Sequence, residues 1–174
     1  MIRKLVMVMT LIVALPCFGD ILADMAEQGD ADVQFALGIM YVQGQDVPQD
    51  YKEAVKWFRL AAEQGVAYAQ YNLGVMYDKG QGMLQDDQEA LKWYRLAAEQ
   101  GKASAQYNLG VMYAKGQGML QDYTKAHMWF NLGASQGHKL AQKNRDILAG
   151  IMTPAQIADA QKMARDWLAA HPDL

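Results

Sequence analysis

The residues in this 174-residue chain best suited to proton transfer or metal ligation are His127, His138 and His171. A zinc site needs imidazoles or thiolates at short fixed spacings that converge on one ion, and no pair of these histidines has such a spacing. His127 stands where Leu91 and Val55 stand 36 and 72 residues earlier, so it reads as a half-buried structural histidine with a satisfied ring. His138 follows a glycine turn and His171 lies in the tail. Gly80-Gln81-Gly82 has the glycine density of a phosphate loop. It is not followed by Gly-Lys-Ser/Thr, and it returns as Gly116-Gln117-Gly118, which points to a turn. The Asp and Glu residues cluster at helix starts, where the backbone dipole favours a carboxylate. No serine has a base arranged beside it. The chain is therefore expected to have no catalytic residues, no metal and no cofactor.

What does recur is the chemistry of recognition. Phe35, Tyr71 and Tyr107 lie 36 residues apart, as do Ile39, Val75 and Val111, and Asn72 and Asn108, with Tyr68 nearby. Aromatic and aliphatic rows flanked by amides suit an extended peptide or a helix. These nine residues are the candidate partner-binding set. The competing reading makes the rows core, packed against neighbouring helices. Tyrosine hydroxyls, which prefer a wet or hydrogen-bonded end, argue against that for Tyr71 and Tyr107.

The elements that position these rows follow from the same period. Gly29, Gly65, Gly101 and Gly137 share it, as do Trp57, Trp93 and Trp129, and 25 of 36 residues are identical between 62–97 and 98–133. A fixed period of this size marks a stacked-repeat architecture. Within a unit, Ala69, Leu73, Met76 and Tyr77 form one helical stripe; Leu73, Gly74 and Tyr77 are assigned to packing, leaving Tyr68, Tyr71, Asn72, Val75 and Asp78. Gly74, repeated as Gly38 and Gly110, costs about 1 kcal/mol against Ala inside a helix, so a close-packed neighbour is expected there. The second helix opens at Asp86, with Glu89 placed for a reciprocal capping box. Asp50 and Glu53 repeat the arrangement, whereas Asp122 has Lys125 in the box position. The spacing predicts helices over 31–42, 51–63, 67–78, 87–99, 103–114 and 123–135, a half unit over 20–28, and a divergent pair over 138–149 and 153–170. The last opens at Thr153-Pro154-Ala155-Gln156, a capped start with proline at the first helical position. Met40, Met76 and Met112 fall in the core register; Met83 and Met119 fall in loops, facing solvent or plugging between units.

The organisation expected is a leader over 1–19 and one domain over 20–174, with repeats at about 26–61, 62–97 and 98–133 and a cap over 134–174. Arg3 and Lys4, the apolar run Leu5 to Leu15, Pro16 and the small residues around Gly19 have the order of a secretory signal peptide. Cleavage is expected after Gly19, with Ala23 the second candidate. The apolar run is shorter than the roughly 20 residues a spanning helix needs. Cys17, the one cysteine, leaves with the leader, and the net charge moves from −3 to −5, which disfavours nucleic acid. No stable membrane anchor remains, and the mature protein is expected to be monomeric.

Ala67 to Gly80 and Asp86 to Gly101 carry Ala-x-Ala-Gln-x-x-Leu-Gly-x-x-Tyr-x-x-Gly, a loop, Asp-x-x-x-Ala, an aromatic, then Ala-Ala-Glu-Gln-Gly. This closely resembles the Sel1-like repeat family, relatives of tetratricopeptide repeats. Val33, and Asp46-Val47-Pro48 in place of Gly82-Met83-Leu84, are departures in the first copy. The resemblance implies an all-α, right-handed superhelical α-solenoid of antiparallel helix pairs, with first helices lining the concave surface. It implies a non-enzymatic adaptor in complex assembly or signalling, exported to the periplasm or beyond the cell in a bacterium, that binds a protein or peptide. Two alternatives accompany it: a weak hydrolase of β-lactam or cell-wall ligands, and a periplasmic regulator of a membrane sensor.

Overall fold

Asp50, Asp86 and Asp122 do open helices in the computed structural model, which describes residues 18–173. Each is extended in backbone and accepts from one or two amides of the first turn. The helices are α1 (Phe18–Glu27), α2 (Ala31–Gln43), α3 (Tyr51–Glu63), α4 (Ala67–Lys79), α5 (Asp87–Glu99), α6 (Ala103–Lys115), α7 (Tyr123–Ser135), α8 (Lys139–Ala149) and α9 (Pro154–Ala170). No strand occurs among the described residues, and no described helix is long and apolar enough to cross a membrane. Residues 1–17, which hold most of the expected leader and Cys17, lie outside the described residues; Gly19 and Ala23 fall within α1.

The helices form antiparallel pairs, α2–α3, α4–α5 and α6–α7, each pair packing its second helix on the next first helix. From α2 onward the predicted helix limits hold to within a residue, because the capping aspartates and the left-handed glycines Gly44, Gly80 and Gly116 fix them; the half unit expected over 20–28 runs instead from Phe18 to Glu27. The helix glycines have the expected reason. A Cβ on Gly38, Gly74 or Gly110 would lie 2.6, 2.7 or 2.6 Å from the ring of Phe58, Tyr94 or Phe130. The second helix of each pair therefore lays an aromatic ring directly on the backbone of the first.

One expectation fails at the caps. The carboxylates of Glu53 and Glu89 do not return to the capping residue. Glu53 is drawn to Lys56, 3.4 Å away, and Glu89 to Lys92 at 3.3 Å and to the indole N–H of Trp93 at 3.1 Å. Among the described residues, the reciprocal box forms only at α9, between Thr153 and Gln156.

The junction between units is held by buried amides. Gln34, Gln70 and Gln106 are 3, 4 and 0 % exposed. Each donates from Nε2 to the carbonyl of Ala26, Ala62 or Ala98 on the preceding second helix, at 2.9, 3.1 and 3.2 Å. Each accepts at Oε1 from Gln64, Gln100 or Gln136, the residue ending its own pair, at 2.8, 2.8 and 2.9 Å. Buried amides of this kind must be bonded or they cost free energy, and here donor and acceptor are both used. Arg59 and Arg95 reinforce the same junctions by donating to the hydroxyls of Tyr77 and Tyr113.

The last two helices pack differently from the pairs before them. α8 continues the series of first helices, but α9 packs against α7 rather than against α8. Its Trp167 meets Trp129 edge-on at 6.0 Å. This explains why Met128 and Leu132, at 7 and 1 % exposure, are buried, while the equivalent Leu60 and Leu96 are 38 and 37 % exposed and Lys56 and Lys92 point to solvent. On α8, Arg145 and Asp146 take the places of Leu109 and Gly110 and pair with each other at 2.8 Å. A charged pair there offers no seat for another aromatic ring. Met83 and Met119 pack between units, whereas Leu84 and Leu120 beside them are 90 and 91 % exposed.

Candidate functional site

The first helices present one continuous face, and its rows are built by the ring-on-glycine packing. Phe35, Tyr71 and Tyr107 lie over Phe58, Tyr94 and Phe130, with ring centroids 5.9, 6.0 and 5.9 Å apart. The lower rings are buried and the upper ones half-buried, so the predicted aromatic row is neither free surface nor core. It is the accessible layer of a two-ring stack. Ile39, Val75 and Val111 are half-buried beside it, as are Asn72 and Asn108. Tyr68 is 56 % exposed, reaches Phe35 at 6.1 Å, and has the Lys102 ammonium 3.3 Å from its ring centre. Tyr107 carries a further layer, His138, stacked at 4.8 Å. Asn72 donates to the Tyr68 carbonyl on its own helix at 2.8 Å.

The second unit departs from its neighbours in two linked places. Tyr94 replaces Phe58 and Phe130, and Asp78 replaces Val42 and Ala114. The two residues meet, with the Tyr94 hydroxyl donating to Asp78 Oδ2 at 3.4 Å. The Asn108 side chain lies close enough to the hydroxyls of both Tyr71 and Tyr94 to favour their ionised forms slightly. Burial, and then the Asp78 charge, push the Tyr94 hydroxyl far above its usual range. Burial also raises Tyr71, partly offset by the neighbouring Asn108 amide. Both phenols are therefore neutral at physiological pH, and that of Tyr94 donates to the Asp78 carboxylate.

Two site residues escaped the sequence reading. Asn144 and Ile147 of α8 stand 36 residues beyond Asn108 and Val111, so the amide and aliphatic rows continue into the cap. The 36-residue register was the available signal; the substitution of Arg145 for leucine next to it obscured that signal. Ile147 is 58 % exposed. Together with Val111, Ala114, Phe130 and Leu148 it lines a cavity of about 220 Å³, with Lys115 and Asn144 beside it. That is below the roughly 300–1,000 Å³ of small-molecule sites and suits a single apolar side chain.

The histidines do not assemble a centre. His127 is 3 % exposed, not half-buried as expected, and its Nδ1 has no partner. Burial first, then the Arg145 charge, lower its pKa. The position is a leucine or valine slot in the other units, so the fold supplies packing there and nothing for the ring to bond. His138 caps α8 by accepting from the Ala141 amide at 3.2 Å, and His171 stacks on Trp167 at 4.2 Å. Among the described residues, no group of His, Cys, Asp or Glu is placed to hold a metal ion.

A stack of helix pairs with a ring-and-amide face across its first helices defines an all-α solenoid of the kind that binds other proteins. The Sel1 repeat is matched three times, over residues 31–66, 67–102 and 103–138, each match beginning at a first helix. The chain belongs to the Sel1 repeat family. Among solved structures it is similar to a protective antigen of uropathogenic Escherichia coli strains displaying an SLR fold, with 36% identity, a TM-score of 0.78, and coverage of 85% of this chain and 32% of that one. It is also similar to a Sel1 repeat protein from Oxalobacter formigenes, with 37% identity, a TM-score of 0.67, and coverage of 69% of this chain and 49% of that one. The chain thus spans about a third and about half of the lengths of those two proteins. No curated protein matches. The fold is commonly a protein–protein interaction scaffold, and proteins with it are typically non-enzymatic.

Proposed function

We propose that this protein is an exported, non-enzymatic adaptor that holds a protein or peptide segment along the face of its first helices. The observation that carries this reading is the half-exposed outer layer of Phe35, Tyr71 and Tyr107, each seated on a buried ring. Rings pre-positioned in this way lose little conformational freedom on binding, which is what makes aromatic anchors effective at interfaces. The aliphatic row and the amides of Asn108 and Asn144 supply shape and hydrogen bonds on either side. Export rests on the charge and apolar order of residues 1–19.

The test is crosslinking of the protein in the envelope of its own cell, followed by mass spectrometry of captured partners. The same capture is run with Tyr71→Ala/Tyr107→Ala. The wild-type chain is expected to recover a defined partner that the double variant loses, with helical content by circular dichroism unchanged. Equal recovery by a folded double variant removes this face as the binding site.

A further inference from the structure

The charges on the first helices are ordered along the stack. α2 carries Asp32 alone, α4 carries Asp78 and Lys79, α6 carries Lys115 alone, and α8 carries Lys139, Lys143 and Arg145 against Asp146. The formal charge thus runs −1, 0, +1, +2 from one end to the other, in a chain whose net charge is −3. The residues in the recognition rows follow the same order. Asp32 holds the register position of Tyr68, and Asp78 stands beside Tyr94, while Lys143 holds the position of Tyr71 and Tyr107. Lys115 borders the apolar cavity between Val111 and Ile147. Asp32, Asp78, Lys115 and Lys143 enter none of the ion pairs among the described residues. The ordered charge and the apolar cavity beside Lys115 together define a complementary ligand.

We infer that the bound segment is itself electrically polar: acidic residues lie beside Lys115 and Lys143, an apolar side chain fills the Val111–Ile147 cavity, and a basic residue lies opposite Asp78 and Asp32. This rests on the reading that the first-helix face binds a protein segment. Charge order of this kind fixes the direction in which the segment lies, and it rejects the reversed arrangement through like-charge contact.

The experiment is selection of peptides from a random display library on the whole immobilised chain, followed by affinity measurement at low and high salt. Selected peptides are expected to share an apolar residue flanked by acidic ones toward one end, for the cavity between Lys115 and Lys143, and a basic residue toward the other. Lys115→Glu/Lys143→Glu, both exposed positions, should weaken them about tenfold at low salt, less at high salt. Replacing the peptide's acidic residues with lysine should restore affinity to that variant and not to the wild type. Peptides that require Tyr71 and Tyr107 but show no charge order, or are indifferent to the lysine reversal, overturn the inference and leave the binding face standing. Peptides that bind Tyr71→Ala/Tyr107→Ala as well as wild type remove the face itself, and the inference with it.

Discussion

Replacing Gln106 with leucine tests whether buried amides hold the units together. Gln106 is fully buried and makes two bonds, from Nε2 to the Ala98 carbonyl at 3.2 Å and from Gln136 Nε2 to its Oε1 at 2.9 Å. Leucine of similar volume removes both without leaving a polar atom at position 106. The Ala98 carbonyl keeps the Gly101 amide at 3.0 Å, and Gln136, an exposed residue, recovers water. The loss is then about two net hydrogen bonds at roughly 0.5–1.5 kcal/mol each, offset in part by leucine's greater hydrophobicity. About 1.5 kcal/mol remains, which for a domain of this size lowers the thermal midpoint by about 3–6 °C. Circular dichroism during heating, with urea titration as a second measure, reads it directly. An internal control exists in Gln142, which occupies the same register position on α8 but is exposed. Gln142→Ala should change stability by less than about 0.5 kcal/mol. Gln136→Ala combined with Gln106→Leu should show a coupling of about 0.5–1 kcal/mol, since the two residues share one bond. If Gln106→Leu melts at or above the wild-type midpoint, the amides are tolerated rather than stabilising, and something other than their hydrogen bonds holds the units together.

Other outcomes follow from the same packing. Gly74→Ala puts a methyl group 2.7 Å from the Tyr94 ring, which is 1 % exposed and backed by Tyr71. Overpacking of about 1–3 kcal/mol should outweigh the roughly 1 kcal/mol gained by removing a helix glycine, so denaturant midpoints should fall; a rise would show that the ring can move. His127 is held neutral by burial, so as pH drops through about 6.5 the unfolded chain takes up the proton first. The stability contribution of neutral His127 is full above that pH and is lost as pH falls toward the lower folded value. His127→Leu should flatten this part of the stability–pH curve measured from pH 7.5 to 5.5, and parallel curves for the two proteins would refute it. Trp167→Ala removes the ring that meets Trp129; with Trp167 half-buried, a loss of about 2 kcal/mol is expected. Met128, Trp129 and Leu132 should then be exposed to a hydrophobic dye, whose unchanged fluorescence would show that α9 is dispensable.

The helix pattern was legible because its determinants are local. Capping aspartates and left-handed glycines act within one turn, and the repeat printed them three times. The aromatic and aliphatic rows were legible for the same reason, as a register. Contacts that join distant residues were not. Gln34, Gln70 and Gln106 were given no role from sequence, because a buried amide is identified only by the carbonyl it meets eight residues back in sequence and across a junction. The choice made by Glu89, between a backbone amide and the side chains of Lys92 and Trp93, depends on rotamers. The route of α9 to α7 broke the register altogether. Its trace in the sequence was Met128 in a position that holds lysine in both earlier units, a signal visible once the covering helix is known. Asn144 and Ile147 were within reach of simple counting and were masked by the charged residues between them.

The junctions have one more consequence. Each glutamine needs only a carbonyl from the unit behind it and an amide from its own unit, and every unit offers the next the same carbonyl. A duplicated copy of 67–102 inserted in frame would therefore find compatible neighbours on both sides, and the 25 shared residues of 36 between 62–97 and 98–133 are the imprint of such a copying event. Evolution can thus lengthen the recognition surface in whole units without redesigning its interior.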